Sequence, residues 1–144
     1  MPTITISTPA LPPVRRRAIA VRLTRWLSNT GVDPAHAIVR FVDTAGDTIF
    51  SGAMPLDAMS RGESPVRFAS VVCCVAPDRD EQFRAGLAEE IAAALEATED
   101  SSFFYIEFRP THPSLAYYVR GGRLVRADRT TQPANQGSHT RCTR

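Results

Sequence analysis

Pro2-Thr3-Ile4-Thr5-Ile6-Ser7, directly behind Met1, is the stretch that decides the fold. Ile4 and Ile6 alternate with Thr3, Thr5 and Ser7, the two-residue period of a half-buried strand. A strand that starts this early holds the N-terminus in a sheet instead of leaving it a loose tail. Pro2 therefore has a chemical reading beside its structural one. Met1 is expected to be removed before so small a second residue, leaving proline as the N-terminus and a secondary amine at the chain end. Met-Pro starts are common and most carry no chemistry; the ordered strand sets this one apart. The chain contains seventeen arginines and no lysine, so no lysine amine is on hand for base or iminium chemistry. An α-amino group titrates near about 7.7–8.0. Burial and a neighbouring arginine both lower that value, towards the range in which a general base works best at neutral pH.

Outward from this strand the pattern switches to a helical period. Pro12 and Pro13 suit a first helical turn, and Val14, Ala18, Ile19, Val21, Leu23, Trp26 and Leu27 carry an amphipathic helix to about Ser28. Gly31 closes it as a left-handed terminal residue. Residues 36–43 read as a second strand, with 48–50 pairing back on it as a short hairpin. Residues 53–65, with Pro55, Gly62 and Pro65, read as an excursion loop. Residues 66–76 form a third strand, whose run Val71-Val72-Cys73-Cys74-Val75 suits burial on both faces. A helix rich in Ala, Glu and Leu follows from about Asp80 to Ala97. Phe103 to Arg109 is the fourth strand. Residues 113–126 read as a terminal hairpin turning at Gly121-Gly122. The chain from Ala127 on is polar and aperiodic and reads as a disordered tail, so the domain is 2–126 with a tail at 127–144.

The fold class is α/β (α+β): two consecutive β-α-β units giving a four-stranded sheet with two helices on one face. The other sheet face lacks cover, which calls for an oligomer.

Composition narrows the function classes. The 144 residues fit one domain. A formal net charge of +2 is too small for a nucleic-acid binder. Arg15-Arg16-Arg17 reads as a solvated or subunit-facing cluster. No apolar run spans a membrane, and the β-like start does not read as a signal peptide. Cys73, Cys74 and Cys142 make no disulfide framework, so a reducing cytoplasm is expected. Arginine in place of lysine suggests a GC-rich, bacterial genome. His36 and His112 have no partners at ligand spacing, and no metal or other cofactor is expected. Neither a phosphate-binding glycine loop nor a Ser-His-Asp signature is present.

A proline behind Met1, a strand starting at once and two β-α-β units together resemble the tautomerase superfamily, over roughly residues 2–125. Its members include the macrophage migration inhibitory factor group, 5-carboxymethyl-2-hydroxymuconate isomerase, cis-3-chloroacrylic acid dehalogenase and malonate semialdehyde decarboxylase. Phe104-Tyr105-Ile106-Glu107-Phe108-Arg109-Pro110 is similar to the family's fourth strand, and His112-Pro113-Ser114-Leu115 to a segment of the hydroxymuconate isomerase.

The resemblance implies a homotrimer with the terminal proline at a subunit boundary. It also implies a small carboxylate-bearing keto or enol substrate and isomerase (tautomerase) chemistry. Pro2 matches the catalytic proline, Arg79 a substrate-binding arginine at a strand-to-helix junction, and Tyr105 a tyrosine that polarises substrate or water. A second arginine of the dehalogenases falls at Ala76, their glutamate near Ala116 and their histidine near Leu27, which argues against a chloroacrylate dehalogenase. Arg40 on the second strand is a candidate second cation. Glu107, two residues from Tyr105 on the same sheet face, is a candidate for positioning substrate. Two alternatives stand: a proline-dependent lyase, hydratase or decarboxylase of the same superfamily, and a non-enzymatic trimer with a vestigial proline.

Overall fold

The computed structural model describes residues 1–59 and 66–129. The second half of the expected excursion loop and most of the polar tail lie outside the described residues.

Strand β1 (Thr3–Thr8) leads through Pro12 into helix α1 (Pro13–Asn29). The helix ends where Gly31 takes a φ of 89°, the left-handed conformation glycine tolerates best. A 3-10 turn, Pro34–His36, capped by Asp33, then delivers strand β2 (Ile38–Asp43). The turn takes His36 out of the expected strand, because Pro34 presets its first φ and Asp33 Oδ1 accepts from the Ala35 N–H at 2.9 Å. Residues 48–50 do not pair back on β2. Instead β3 (Phe50–Ser51) pairs with β4 (Met54–Pro55), and a short helix α2 (Leu56–Met59) follows. Gly52 and Ala53 both take positive φ in this tight turn.

Strand β5 (Phe68–Val75) precedes helix α3 (Glu81–Ala94), and strand β6 (Phe103–Pro110) follows it. The sheet order is β2-β1-β5-β6. Each β-α-β unit contributes a parallel pair, β1 with β2 and β5 with β6, and the two units join antiparallel through β1 and β5.

Both helices pack on one face of this sheet. Ile4, Ile6, Val71 and Cys73 are fully buried with Ile19, Leu23 and Leu27 of α1 and Leu87 and Ile91 of α3. Trp26 and Phe83 join the two helices with ring centroids 5.4 Å apart. Val14 and Val21 are exposed on the outer side of α1. The other sheet face carries Thr3, Thr5, Arg40, Val72, Cys74, Tyr105 and Arg109, each half-buried or exposed. The apolar run in β5 is therefore covered by helices on one side only. Its alternating burial, with Val71 and Cys73 inside and Val72 and Cys74 on the open side, replaces the expected two-sided cover.

Residues from Pro113 form a separate compact unit. It holds a 3-10 turn, Pro113–Leu115, and the hairpin of β7 (Tyr117–Arg120) and β8 (Arg123–Arg126), turning at Gly121 and Gly122 as the sequence suggests.

Candidate active site

The antiparallel join places the start of β1 beside the end of β5. Thr3 lies opposite Cys74, and Cys74 opposite Arg109. On the other side Thr3 lies opposite Ile38, whose N–H donates to the Pro2 carbonyl at 3.1 Å. The N-terminus is thus fixed in the sheet, where its amine meets whatever follows β5.

That segment carries Arg79. A turn in which the Arg79 N–H donates to the Ala76 carbonyl at 3.2 Å brings the chain round to α3. Asp80 caps the helix, its Oδ1 accepting from the Phe83 N–H at 2.8 Å. Phe83 sits under the Arg79 guanidinium, 4.6 Å from the ring centroid to Cζ, a cation–π contact that orients the side chain. Arg84 also donates to the Arg79 carbonyl. The N-terminal amine, here that of Met1, is held below its ordinary pKa, first by burial and then by the charge of Arg79. The chain end thus lies within reach of the Arg79 charge.

The other candidates are distributed along the open face. Arg40 lies opposite Thr5, three residues on from Pro2 and about 10 Å further along the strand. Tyr105 is opposite Ser70, itself opposite Ser7. It therefore sits about 16 Å from Pro2 along the strand direction and is not brought to the chain end within this chain. It is 47% exposed and stacks on Phe103 at 6.2 Å. Glu107 does not stand open to a substrate. Its carboxylate accepts from Arg109 Nε at 2.7 Å and from Nη2 at 3.4 Å, and the arginine holds it below the usual carboxylate range. Arg109, given no role from the sequence, belongs with the candidates. The signal was its two-residue spacing from Glu107, which puts two opposite charges on one strand face.

Cys73, inside the core, is pushed up to about 12, by burial first and by Cys74 second, and is chemically inert there. Among the described residues no group of three or more His, Cys, Asp or Glu could hold a metal ion, and no helix is long and apolar enough to cross a membrane.

No protein-family model matches the sequence, and no curated protein matches it. Solved structures do. A native fused 4-OT superposes with a TM-score of 0.63 at 17% identity, over 87% of this chain and 97% of that one. The fold is that of the tautomerase superfamily. An FG41 malonate semialdehyde decarboxylase inhibited by 3-bromopropiolate gives 0.57 at 16% identity, over 83% of this chain and 90% of that one. N1, a member of the cis-3-chloroacrylic acid dehalogenase family, gives 0.58 at 20% identity, over 85% of this chain and 82% of that one. Fused 4-OT is solved as asymmetric and symmetric trimers. Tautomerase-fold neighbours thus carry names from different reactions, and the reaction of this chain has to be argued from its own residues.

Proposed function

We propose that this chain is a homotrimeric, tautomerase-like isomerase that uses Pro2, freed of Met1, as general base on a small carboxylate-bearing enol or keto acid. The observation that supports the reading is the chain end itself: the amine of Met1 is partly buried and within reach of the Arg79 charge, and both influences lower its pKa. With Met1 gone, the Pro2 nitrogen becomes the chain end, one residue nearer the sheet. The same two influences, burial and the arginine, would favour its neutral form.

The step balances without a co-reactant. Neutral Pro2 nitrogen takes the enol hydroxyl proton, and the resulting ammonium returns a proton to the carbon two atoms away, giving the keto form. Arg79 pairs with the substrate carboxylate through its guanidinium fork and offsets charge developing on the enolate oxygen. Arg40 is a second cation on the same sheet face. Tyr105 contributes only if a neighbouring copy brings it to the chain end, which a trimer with the open faces inward allows.

The direction read at the Met1 amine favours this reading over the hydratase, lyase or decarboxylase alternative in which a protonated proline acts as acid. Retention of Met1 would favour the non-enzymatic scaffold, because Pro2 nitrogen is then an amide without basicity.

The test is ketonisation of phenylenolpyruvate by the wild type and by Pro2→Ala. Pro2→Ala exchanges the secondary amine for a primary one, and this is expected to lower the rate. Equal rates for the two proteins would end the proposal.

A further inference from the structure

We infer that the outer side of α1 docks α3 of a second copy of this chain, an arginine row on one helix meeting a glutamate row on the other. Helix α1 carries five arginines and no acidic residue. Helical periodicity turns them to different sides. Arg15 and Arg22 face α3 of the same chain, where they pair with Glu96 and Glu90. Arg17 and Arg25 are exposed and pair with no carboxylate among the described residues. Arg15-Arg16-Arg17 is therefore not one cluster: its first member joins the two helices and its third looks outward.

Arg17, Val21 and Arg25 stand four residues apart, the spacing of a ridge by which helices interdigitate. Beside it the half-buried Ala20, Thr24 and Ser28 floor a groove of about 400 Å³ that Pro34, ahead of β2, also lines. Helix α3 carries the complement. Glu81, Ala85 and Glu89 are exposed at the same four-residue spacing, and neither glutamate pairs with an arginine among the described residues. Eight helical residues rise about 12 Å, so the two charges of each row have matching separations.

The pairs Arg15–Glu96, Arg22–Glu90 and Trp26–Phe83 make α1 and α3 antiparallel within the chain. A two-fold axis along the helices then lays each α1 antiparallel on the other copy's α3. Arg17 meets the partner's Glu89, Arg25 meets the partner's Glu81, and Val21 packs on the partner's Ala85 between them. The contact forms twice, as an isologous interface does. An anionic membrane or nucleic acid would use the arginines but would set like charge against the neighbouring glutamates, which favours a second copy. The helices lie on the side away from the open sheet face, so this contact leaves that face free and is independent of the reaction.

Light scattering of wild type, Arg17→Glu/Arg25→Glu and Glu81→Arg/Glu89→Arg tests the inference, with circular dichroism reporting the helices. At about 0.1 M salt the wild type is expected to show at least double the mass of either variant. At about 1 M it is expected to fall towards them, as the screening length shrinks from about 10 Å to about 3 Å. Each variant alone opposes like charges. An equimolar mixture of the two opposes unlike ones and is expected to recover the wild-type mass.

One mass for wild type and both variants at every salt concentration overturns the inference. So does a mixture that stays at the mass of its parts. Wild type that binds phosphatidylserine vesicles without self-association gives the arginine row to an anionic surface and also overturns it. If Glu81→Arg unsettles the start of α3, Arg17→Glu and Glu89→Arg, alone and mixed, decide by the same comparison.

Discussion

At the chain end two causes act on one amine in the same direction. Burial is the larger and Arg79 the smaller. For the Met1 amine, replacing Arg79 by Ala removes only the second, and the same upward direction is expected for Pro2 once Met1 is gone. For a reaction that needs the neutral base, the acid limb of the pH–rate profile then moves to higher pH. An unmoved limb would show that Arg79 does not act on the amine. On the proposed pairing of Arg79 with the substrate carboxylate, the same variant is expected to lose substrate affinity, which a KM measurement separates from the pKa effect. The places of Pro2, just before β1, and of Arg79, in the turn between β5 and α3, were legible in the sequence because both flank strongly patterned elements; their roles belong to the proposal. Tyr105 and Glu107 were legible as residues on one strand face but not in their surroundings. Strand pairing puts Tyr105 opposite Ser70, away from Pro2. A salt bridge within the strand commits Glu107 to Arg109, and a sequence names neither partner.

Among the elements, α3 matters most to the site because its N-terminus carries the Arg79 turn. Asp80→Ala removes the cap on the Phe83 N–H and is expected to cost about 0.5–2 kcal/mol of stability, read as a lower urea midpoint. Helix α1 contributes through burial. Leu23 is fully buried against the sheet, and Leu23→Ala is expected to cost about 2–5 kcal/mol. A loss below 1 kcal/mol by urea melt would contradict the packing described. Gly86 in α3 approaches Trp26 so closely that an added Cβ would lie 3.0 Å from the ring, so this glycine sets the spacing of the two helices. The four long strands and two long helices were readable because their periodicity runs over many residues. The excursion after β2 was not. Its elements are two to four residues long, below the length at which a period can be recognised, and positive φ at Gly52 and Ala53 decides its course.

On the scale of the whole molecule, the bare face of the sheet is the dominant feature. Ile38, Val42, Val72 and Phe103 give it an apolar component among threonines and charges, and a trimer closing over it would bury that surface. Val72 lies in the middle row, between Thr5 and Glu107. Val72→Asp is expected to convert trimers to monomers in light scattering while leaving the helical circular dichroism in place. A Val72→Asp trimer would place the subunit contact elsewhere. That one sheet face is left without helices was readable from the order of strands and helices; what lies against it was not, because a single chain does not specify it. The central claim concerns the chain end, and intact mass of the purified protein before and after 2-oxo-3-pentynoate tests it most directly. The account predicts a mass lacking Met1 and one reagent molecule added per chain, mapped to Pro2. A mass that retains Met1, with no reagent added at the chain end, would contradict it.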